Sequence, residues 1–386
     1  MTTVSNSSLY EALLDRREHL ALTAADRKWL TGQRVLITGA GGSVGAELVR
    51  AVADCSPDML ALVEHSEAQL FRIDRELRQR WPTIEVAPLL CDVTRERDIR
   101  RALTTTRPDV VYHTAAYKHI MTAERGVLTA VRANVFGTWH TARAAAAIGS
   151  RFVLASTDKA ASPTSVVGAT KRFAELVALL AETPPAPSVA VRFGHVLGSS
   201  GSLLELLLEQ LRRGEPLTLT DPAAARYVIT PHEAAALVIK SDLLGSTGAV
   251  YWLDLAAPVR ILDIAERLLE WGETKGFARV PIRYVGLRPG EKLCEALDGS
   301  DLAPLPSRHP GIRMAKQVAR DYAVVRRVMR ALVADLRRGD PLTALADLHA
   351  GVPEYEPSHY ARTHSMRESL AHVHIQGDAP ARAARA

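Results

Sequence analysis

The stretch RVLITGAGGSVG, residues 34–45, decides the fold. Arg34 to Thr38 is an apolar run of the kind needed by a strand buried on both faces. A glycine-rich turn follows, and helix-forming sequence follows the turn. Gly39 permits the tight turn after the strand. Gly42 lets backbone approach a diphosphate with no Cβ in the way, and Gly45 lets the helix pack close to the strand. Gly41, Ser43 and Val44 complete the loop. The free N–H groups of the first helical turn carry partial positive charge and suit an anion. A glycine triplet alone is weak evidence. At the first strand–helix turn of a βαβ unit it reads as a dinucleotide cradle.

Outward from this stretch, further apolar runs occur at Met59–Val63, Glu85–Leu90, Asp109–Tyr112, Arg151–Ser156 and Ser188–Phe193. Helical sequence lies between them, as at Ala46–Asp54, Glu67–Arg80, Val127–Ala147 and Ala169–Ala181. This alternation predicts a doubly wound parallel α/β sheet of the Rossmann type with right-handed crossovers. The second strand ends at Glu64, about 20 residues past the glycines, where an acid can hold an adenosine ribose diol and repel a 2′-phosphate. The cofactor is therefore read as NAD, with NADP the alternative because Arg72 lies one helix away. Asp92 and Val93 end the third strand, where the adenine would sit. Ala115 and Ala116 follow the fourth, beside the dinucleotide.

After Gly194 the rhythm loosens into a smaller mixed α/β unit: helices at Ser202–Arg213, Pro231–Leu244 and Ile261–Trp271, strands at Leu217–Thr220, Val250–Leu255 and Pro281–Val285. The expected organisation is a helical arm over 1–32, a dinucleotide-binding domain over 33–194 and a mainly substrate-binding domain over 195–312, with some segments returning to the large sheet. A helical extension over 313–357, including a helix at Asp321–Leu336, and a flexible tail over 358–386 complete it. In the arm, Ser8 and Glu11 have the spacing of a capping box.

Composition narrows the function classes. The chain has 386 residues, 47% hydrophobic and 24% charged, which is too apolar for a disordered protein. A net charge of +5 over this length, with no basic block, suits a small anionic ligand better than nucleic acid. Three scattered cysteines, Cys55, Cys91 and Cys294, make neither a disulfide framework nor a metal motif, and point to a reducing cytoplasm. No run reaches the ~18–20 apolar residues of a membrane span, and the N-terminus has charges where a signal peptide needs an apolar core. His364, His372 and His374 show no ligand spacing and read as solvated tail residues, so no metal is expected.

Candidate chemistry lies after the fifth strand, at Ser156-Thr157-Asp158-Lys159, and on the next helix at Gly168-Ala169-Thr170-Lys171. The carboxyl ends of parallel strands are where such sheets meet their ligands. Several runs occur here in an order resembling the extended short-chain dehydrogenase/reductases. They are TGAGGSVGAEL (38–48), HSEAQLFRIDREL (65–77), AAYKH (115–119), ANVFGT (133–138), STDKA (156–160), GATKRFAE (168–175), VRFGHVLGSSGS (191–202), RYVIT (226–230) and GLRPGEKL (286–293). The closer resemblance is to nucleotide-sugar 4,6-dehydratases of the UDP-N-acetylglucosamine type, and it spans about residues 34–312.

That resemblance implies a lyase acting on a nucleotide sugar, usually as a homo-oligomer pairing through the helices near Val127–Ala147 and Ala169–Ala181. The superfamily's Tyr-x-x-x-Lys base is incomplete: Lys171 is present, but Val167 stands at the tyrosine position. In the branch without the tyrosine, a Thr-Asp-Lys run carries catalysis. Thr157 would then hold the 4-oxygen, Asp158 would be the acid at carbon 6, and Lys159 the base at carbon 5. Lys171 would hold the nicotinamide ribose. The Lys159 role requires a lowered pKa and the Asp158 role a raised one. The acceptor of the 4-hydroxyl proton is Asp158 or a water near Lys171. Lys118, His119, His195, Arg226, Arg288 and Glu291 match substrate-binding positions, with His195 and Ala225 departing from the usual Asn and Thr. Tyr117 reads as loop packing. Long relatives carry transmembrane helices before the catalytic part, so a chain opening on a short arm is expected to be free in the cytoplasm. A 5,6-dehydratase giving an exo-glycal, a 4-epimerase and a non-catalytic dinucleotide-binding regulator are the rival readings.

Overall fold

The computed structural model describes residues 6–180, 187–299, 304–316 and 322–377. Strand β1 is Arg34–Thr38, β2 Met59–Glu64, β3 Glu85–Leu90, β4 Val110–His113, β5 Arg151–Ala155 and β6 Ser188–Val191. They form one parallel block in the order β6-β5-β4-β1-β2-β3. Ala249–Leu253 adds to β6 in parallel, and Ile312–Lys316 and Leu305–Pro306 continue the sheet antiparallel, making nine strands. The last three strands all come from beyond residue 194. Strand order reverses between β4 and β1, so a crevice opens at their carboxyl ends, the usual ligand position in such sheets. Both faces are covered, and β1, β2, β4, β5 and β6 are almost wholly buried, as their unbroken apolar runs require.

Several local readings change. The glycine-loop helix begins at Ser43 rather than Ala46. Residues 127–147 are not one α-helix: a short turn Val127–Ala130 leads into a π-helix over Val131–Phe136 and then α-helix Gly137–Ala147. Ser8 lies inside the helix Asn6–Leu14. The reciprocal capping boxes are Thr23 with Asp26 and Thr230 with Glu233. The helix expected over Ala169–Ala181 is Val166–Leu180, and that expected over Asp321–Leu336 is Tyr322–Arg338; Ala181 and Asp321 lie outside the described residues. The segment read as a flexible tail contains a helix, His359–Gly377, in which His364 stacks on Tyr360. Residues 378–386 and the side chains of His372 and His374 lie outside the described residues.

Both terminal segments are built into the core. Leu9, Leu13 and Leu14 of the arm join Leu204, Leu211, Ile264 and Leu268. Arg16 donates to both oxygens of buried Glu233, at 2.7 and 3.0 Å, and Lys240 pairs with Asp26 at 2.6 Å. At the other end, Val328, Leu332, Leu345, Leu348 and Tyr355 bury Val167, Phe173, Leu176 and Val177. Fully buried leucines such as Leu332 and Leu348 each stabilise this contact by roughly 1.5–3 kcal/mol. Gly351 permits the approach, because a Cβ there would lie 2.7 Å from the Phe173 ring. The helix Val166–Leu180, expected to pair with a second subunit, is thus covered by the chain's own helices Tyr322–Arg338 and Pro341–Gly351. Among the described residues no helix is long and apolar enough to cross a membrane, and no group of metal-ligating side chains is assembled.

Candidate active site

The crevice is made first of backbone. Gly39 has a positive φ of 65°, and its N–H donates to Val63 of β2 at 2.8 Å. A Cβ on Gly39 would lie 2.9 Å from Ala115, and one on Gly45 only 2.0 Å from the Gly39 carbonyl. Gly41 is equally constrained: its missing Cβ would meet Gln69 at 2.5 Å, a helix contact that spacing did not suggest. Gly42, by contrast, caps the helix Ser43–Ala53 and has one moderately close neighbour, the Gly39 carbonyl, at 3.1 Å. The first intrahelical bond runs from Ala46 N–H to the Gly42 carbonyl, so Ser43, Val44 and Gly45 lie in the turn whose N–H groups have no helical acceptor. This cradle fits a dinucleotide diphosphate on grounds of shape and charge.

Glu64 is buried at the end of β2. Its carboxylate accepts from the backbone N–H groups of Gly41 at 3.1 Å, His65 at 2.9 Å and Ser66 at 3.0 Å. It therefore organises the glycine loop, and a carboxylate has acceptor capacity left for a ribose hydroxyl. Asp92 holds its own turn by accepting from Thr94 N–H at 2.9 Å, and Val93 packs against Gly137. Ala115 N–H donates to Thr38 Oγ1 at 3.4 Å. Beneath it, His113 bonds Thr38 Oγ1 through Nδ1 at 2.7 Å, while its buried Nε2 has no partner. Burial and nearby Lys171 pull this imidazole down to about 3, so it is neutral.

At the end of β5 the chain enters a 3₁₀ turn, Asp158–Ala160, capped by Thr157. Thr157 Oγ1 donates to Asp158 Oδ1 at 2.8 Å, and Lys159 Nζ donates to the same oxygen at 2.9 Å. Asp158 is fully buried, and its Oδ2 has no partner. Burial pulls the Lys159 ammonium down, but the carboxylates of Asp158 and Glu295 outweigh it and hold the group above its ordinary value. The lowered pKa expected for Lys159 is thus not what its surroundings produce. Lys171 is lowered instead: burial takes it to about 8 against the opposing pull of Glu175. Its Nζ donates to the Ala155 carbonyl at 2.5 Å. Val167 is buried in the apolar cluster under the C-terminal helices and offers no proton-transfer group.

His195 lies among several charged groups. It lies on the short strand His195–Val196, paired with Val228–Ile229, and its N–H donates to Tyr227 at 2.7 Å. Burial and Lys159 pull the imidazole down and Asp158 opposes them; with Arg226 and Lys118 also acting, it falls to about 4. Its buried Nε2 is unpartnered. Lys118, Asp158, Lys159, His195 and Arg226 thus share one electrostatic neighbourhood. Burial lowers Lys118 and His119 as well, and His119 packs against Gly201. Arg226 donates to the carbonyls of Ala225 and Leu293 at 2.8 and 2.9 Å, joining its strand to the loop that carries Arg288 and Glu291. Arg288 and Glu291 close on each other, Arg288 N–H to Glu291 Oε2 at 3.1 Å, on an exposed stretch. The same loop docks beside the segment that follows the Asp158–Ala160 turn, through Thr164 Oγ1 to the Gly290 carbonyl at 3.1 Å.

The model of a family described as "Polysaccharide biosynthesis protein" matches residues 35–317. The chain belongs to that family. It is 37% identical over 322 residues to the probable polysaccharide biosynthesis protein EpsC of Bacillus subtilis, covering 82% of this chain and 53% of EpsC. The chain therefore spans about half the length of that relative. Among solved structures, Pen from Bacillus thuringiensis has a TM-score of 0.68 at 28% identity, covering 75% of this chain and 89% of Pen. DesIV of Streptomyces venezuelae, a dTDP-glucose 4,6-dehydratase solved with NAD, has a TM-score of 0.59 at 22% identity over 69% of this chain and 88% of DesIV, a likeness of fold.

Against this family background, three groups stand out that sequence reading passed over. Glu295 is buried, pairs with Lys292 at 2.8 Å and acts on Lys159. Asn134, on the π-helix, accepts from Tyr117 N–H at 2.8 Å and donates to the Tyr117 carbonyl at 3.1 Å and to Thr170 Oγ1 at 3.0 Å, fixing the loop before Lys118. Glu175 accepts from Ser156 at 2.6 Å, Arg192 at 2.8 and 2.9 Å and Arg172 at 3.0 Å. Burial would raise it, but Arg192 and Arg172 with Ser156 hold it at about 2, anchoring the residue just before Thr157. The run GATKRFAE contained Glu175, but only the fold shows that it is a wholly buried anion.

Proposed function

We propose that the protein is an NAD-dependent nucleotide-sugar 4,6-dehydratase acting on UDP-N-acetylglucosamine or a related UDP-sugar, giving a 4-keto-6-deoxy sugar with loss of one water. The supporting observation is the buried Asp158–Lys159 pair, bridged at 2.9 Å at the mouth of β5, in a chain with Val167 where a tyrosine base would stand. The cradle around Gly39, Gly42 and Gly45 would hold the cofactor diphosphate, with Glu64 toward the adenosine ribose and Lys171 toward the nicotinamide ribose. NAD, when bound, supplies reversible hydride exchange with the sugar, so the reaction ends with no net redox change.

The pair's proton accounting fits the chemistry. Dehydration across carbons 5 and 6 needs a neutral base and a protonated acid together. Moving the bridging proton from Lys159 to Asp158 creates both, with no change in net charge. Closure over a substrate removes water and favours this neutral form, since burial disfavours charge. Lys159 then takes the carbon-5 proton, acidified by the 4-keto group, and Asp158 protonates the departing 6-hydroxyl. Thr157 hydrogen-bonds the 4-oxygen. The 4-hydroxyl proton passes to a water held near Lys171, whose value of about 8 suits proton exchange near neutrality. Arg226, Lys118 and Arg288 supply positive charge for the substrate diphosphate.

The test is incubation with UDP-N-acetylglucosamine, product mass and proton NMR in heavy water. Loss of water with a new methyl signal supports the 4,6-dehydratase. Vinyl protons would replace it with the 5,6-dehydratase, unchanged mass with an inverted 4-hydroxyl with an epimerase. Bound NAD without turnover of any nucleotide sugar would leave a regulator.

A further inference from the structure

A groove of about 820 Å³ lies outside the residues assigned to catalysis, between Phe136 and Trp139 on one side and the helix Tyr322–Arg338 on the other. Its volume falls in the range of small-molecule sites, about 300–1,000 Å³. The surface inside it is carbon-rich, contributed by Phe136, Trp139, Met329 and Val333. Arg326, Arg330 and Arg337 line it too, at helical spacings of four and seven that place them on one face. All three are exposed, and among the described residues no carboxylate or other partner bonds any of them.

We infer that this groove binds one amphiphilic phosphate ester, an apolar chain lying on Phe136, Trp139, Met329 and Val333 with its phosphate on the arginine row. Charge complementarity argues for the anion: guanidinium groups in a row match phosphate oxygens through forked hydrogen bonds. The floor argues for the chain, because its four side chains carry a single hydrogen-bonding group, the Trp139 indole N–H, too little to orient a nucleobase or a sugar. The groove also touches the catalytic unit by covalent continuity. Phe136 stands two residues from Asn134 on the same π-helix, and Asn134 holds the Tyr117 backbone beside Lys118. π-helical turns recur at functional sites because they re-aim neighbouring side chains.

The experiment uses the full chain and dodecyl phosphate below its micellar concentration, with inorganic phosphate and dodecanol as controls, read by titration calorimetry. The expected result is saturable binding of one dodecyl phosphate per chain, at least tenfold tighter than either control. Arg326→Ala with Arg330→Ala should weaken it at least tenfold and remove the preference over dodecanol, with an unchanged melting temperature because both side chains are exposed. Val333→Asp should weaken dodecyl phosphate and dodecanol alike. Equal affinity in the arginine variant would overturn the inference. So would binding confined to phosphatidate vesicles, which would mean surface adhesion, or a dimer in sedimentation that the arginine changes dissociate, which would make the groove a contact between copies. None of these readouts requires turnover.

Discussion

Lys159 and Lys171 stand twelve residues apart, on the turn after β5 and on the next helix, and the fold treats them oppositely. Lys159 is partly buried with two carboxylates acting on it, and it is held charged. Lys171 is buried with its Nζ on a backbone carbonyl, and Glu175, one helical turn on, is already held by two arginines, so Lys171 drops to about 8. Burial alone lowers both. What separates them is whether the nearest carboxylate is free to compensate. The protonation state of such a lysine is therefore not set by its run alone: Asp158, the neighbour in the run, acts on Lys159 together with Glu295, which only the fold brings there.

Four measurements break or sharpen that contrast. The largest effect is expected from the Asp158–Lys159 pair: Asp158→Asn and Lys159→Ala should each lower the dehydration rate by about 10³-fold or more, within the ~10²–10⁴ range of a lost acid or base. Product NMR reads the rate, and near-normal turnover in either variant would remove the pair from the mechanism. Next, Lys171→Met should lower kcat by about 10²-fold and erase an inflection near pH 8 in the pH–rate profile. The same change has a stability signature. Between about 8 in the fold and the usual 10.5, the unfolded chain binds one more proton than the native one, so stability rises with pH across that window. Denaturant melts of the wild type should show this rise, and those of Lys171→Met should lack it.

Third, Val167→Tyr forces a larger side chain into a filled apolar cluster and should cost about 1–3 kcal/mol in unfolding free energy with no gain in rate. A gain in rate would show that the missing tyrosine limits the reaction. The smallest effect is expected at His195, whose unpartnered Nε2 faces the site as a neutral imidazole. His195→Ala should raise KM about tenfold, the loss of one hydrogen bond of roughly 1.4 kcal/mol, with little change in kcat. Because His195 titrates at about 4, it should add no inflection between pH 5 and 8 in the wild-type profile.

The glycine loop was legible in the linear chain because its constraints are local: Gly39 needs a left-handed φ, and Gly45 must pass the carbonyl of Gly39 six residues earlier. The parallel strands were legible for a similar reason, since a strand covered on both faces must be apolar along its length. Gly41 was harder, because its neighbour Gln69 comes from the following helix. The π-helical turn at Val131–Phe136 was read as plain α-helix, since its residues have the same apolar spacing either way. How the terminal segments pack was not legible in the chain for a third reason. Arm and extension bury their apolar faces against parts of the chain more than 100 residues away, as Arg16 with Glu233 and Leu332 beside Phe173 show.

By itself, then, the sequence determined the cradle, the parallel sheet and the Thr157-Asp158-Lys159 run, all set by short-range sterics and by the periodicity of burial. Tertiary structure alone decided how charge is distributed among the site groups: it brought Glu295 to Lys159, set His195 among three cations, and sealed Lys171 away from water. It also decided that Val166–Leu180 is covered by the chain's own C-terminal helices. These are long-range outcomes because electrostatic energy depends on distance and dielectric in the folded state, and neither is written in the spacing of residues along the chain.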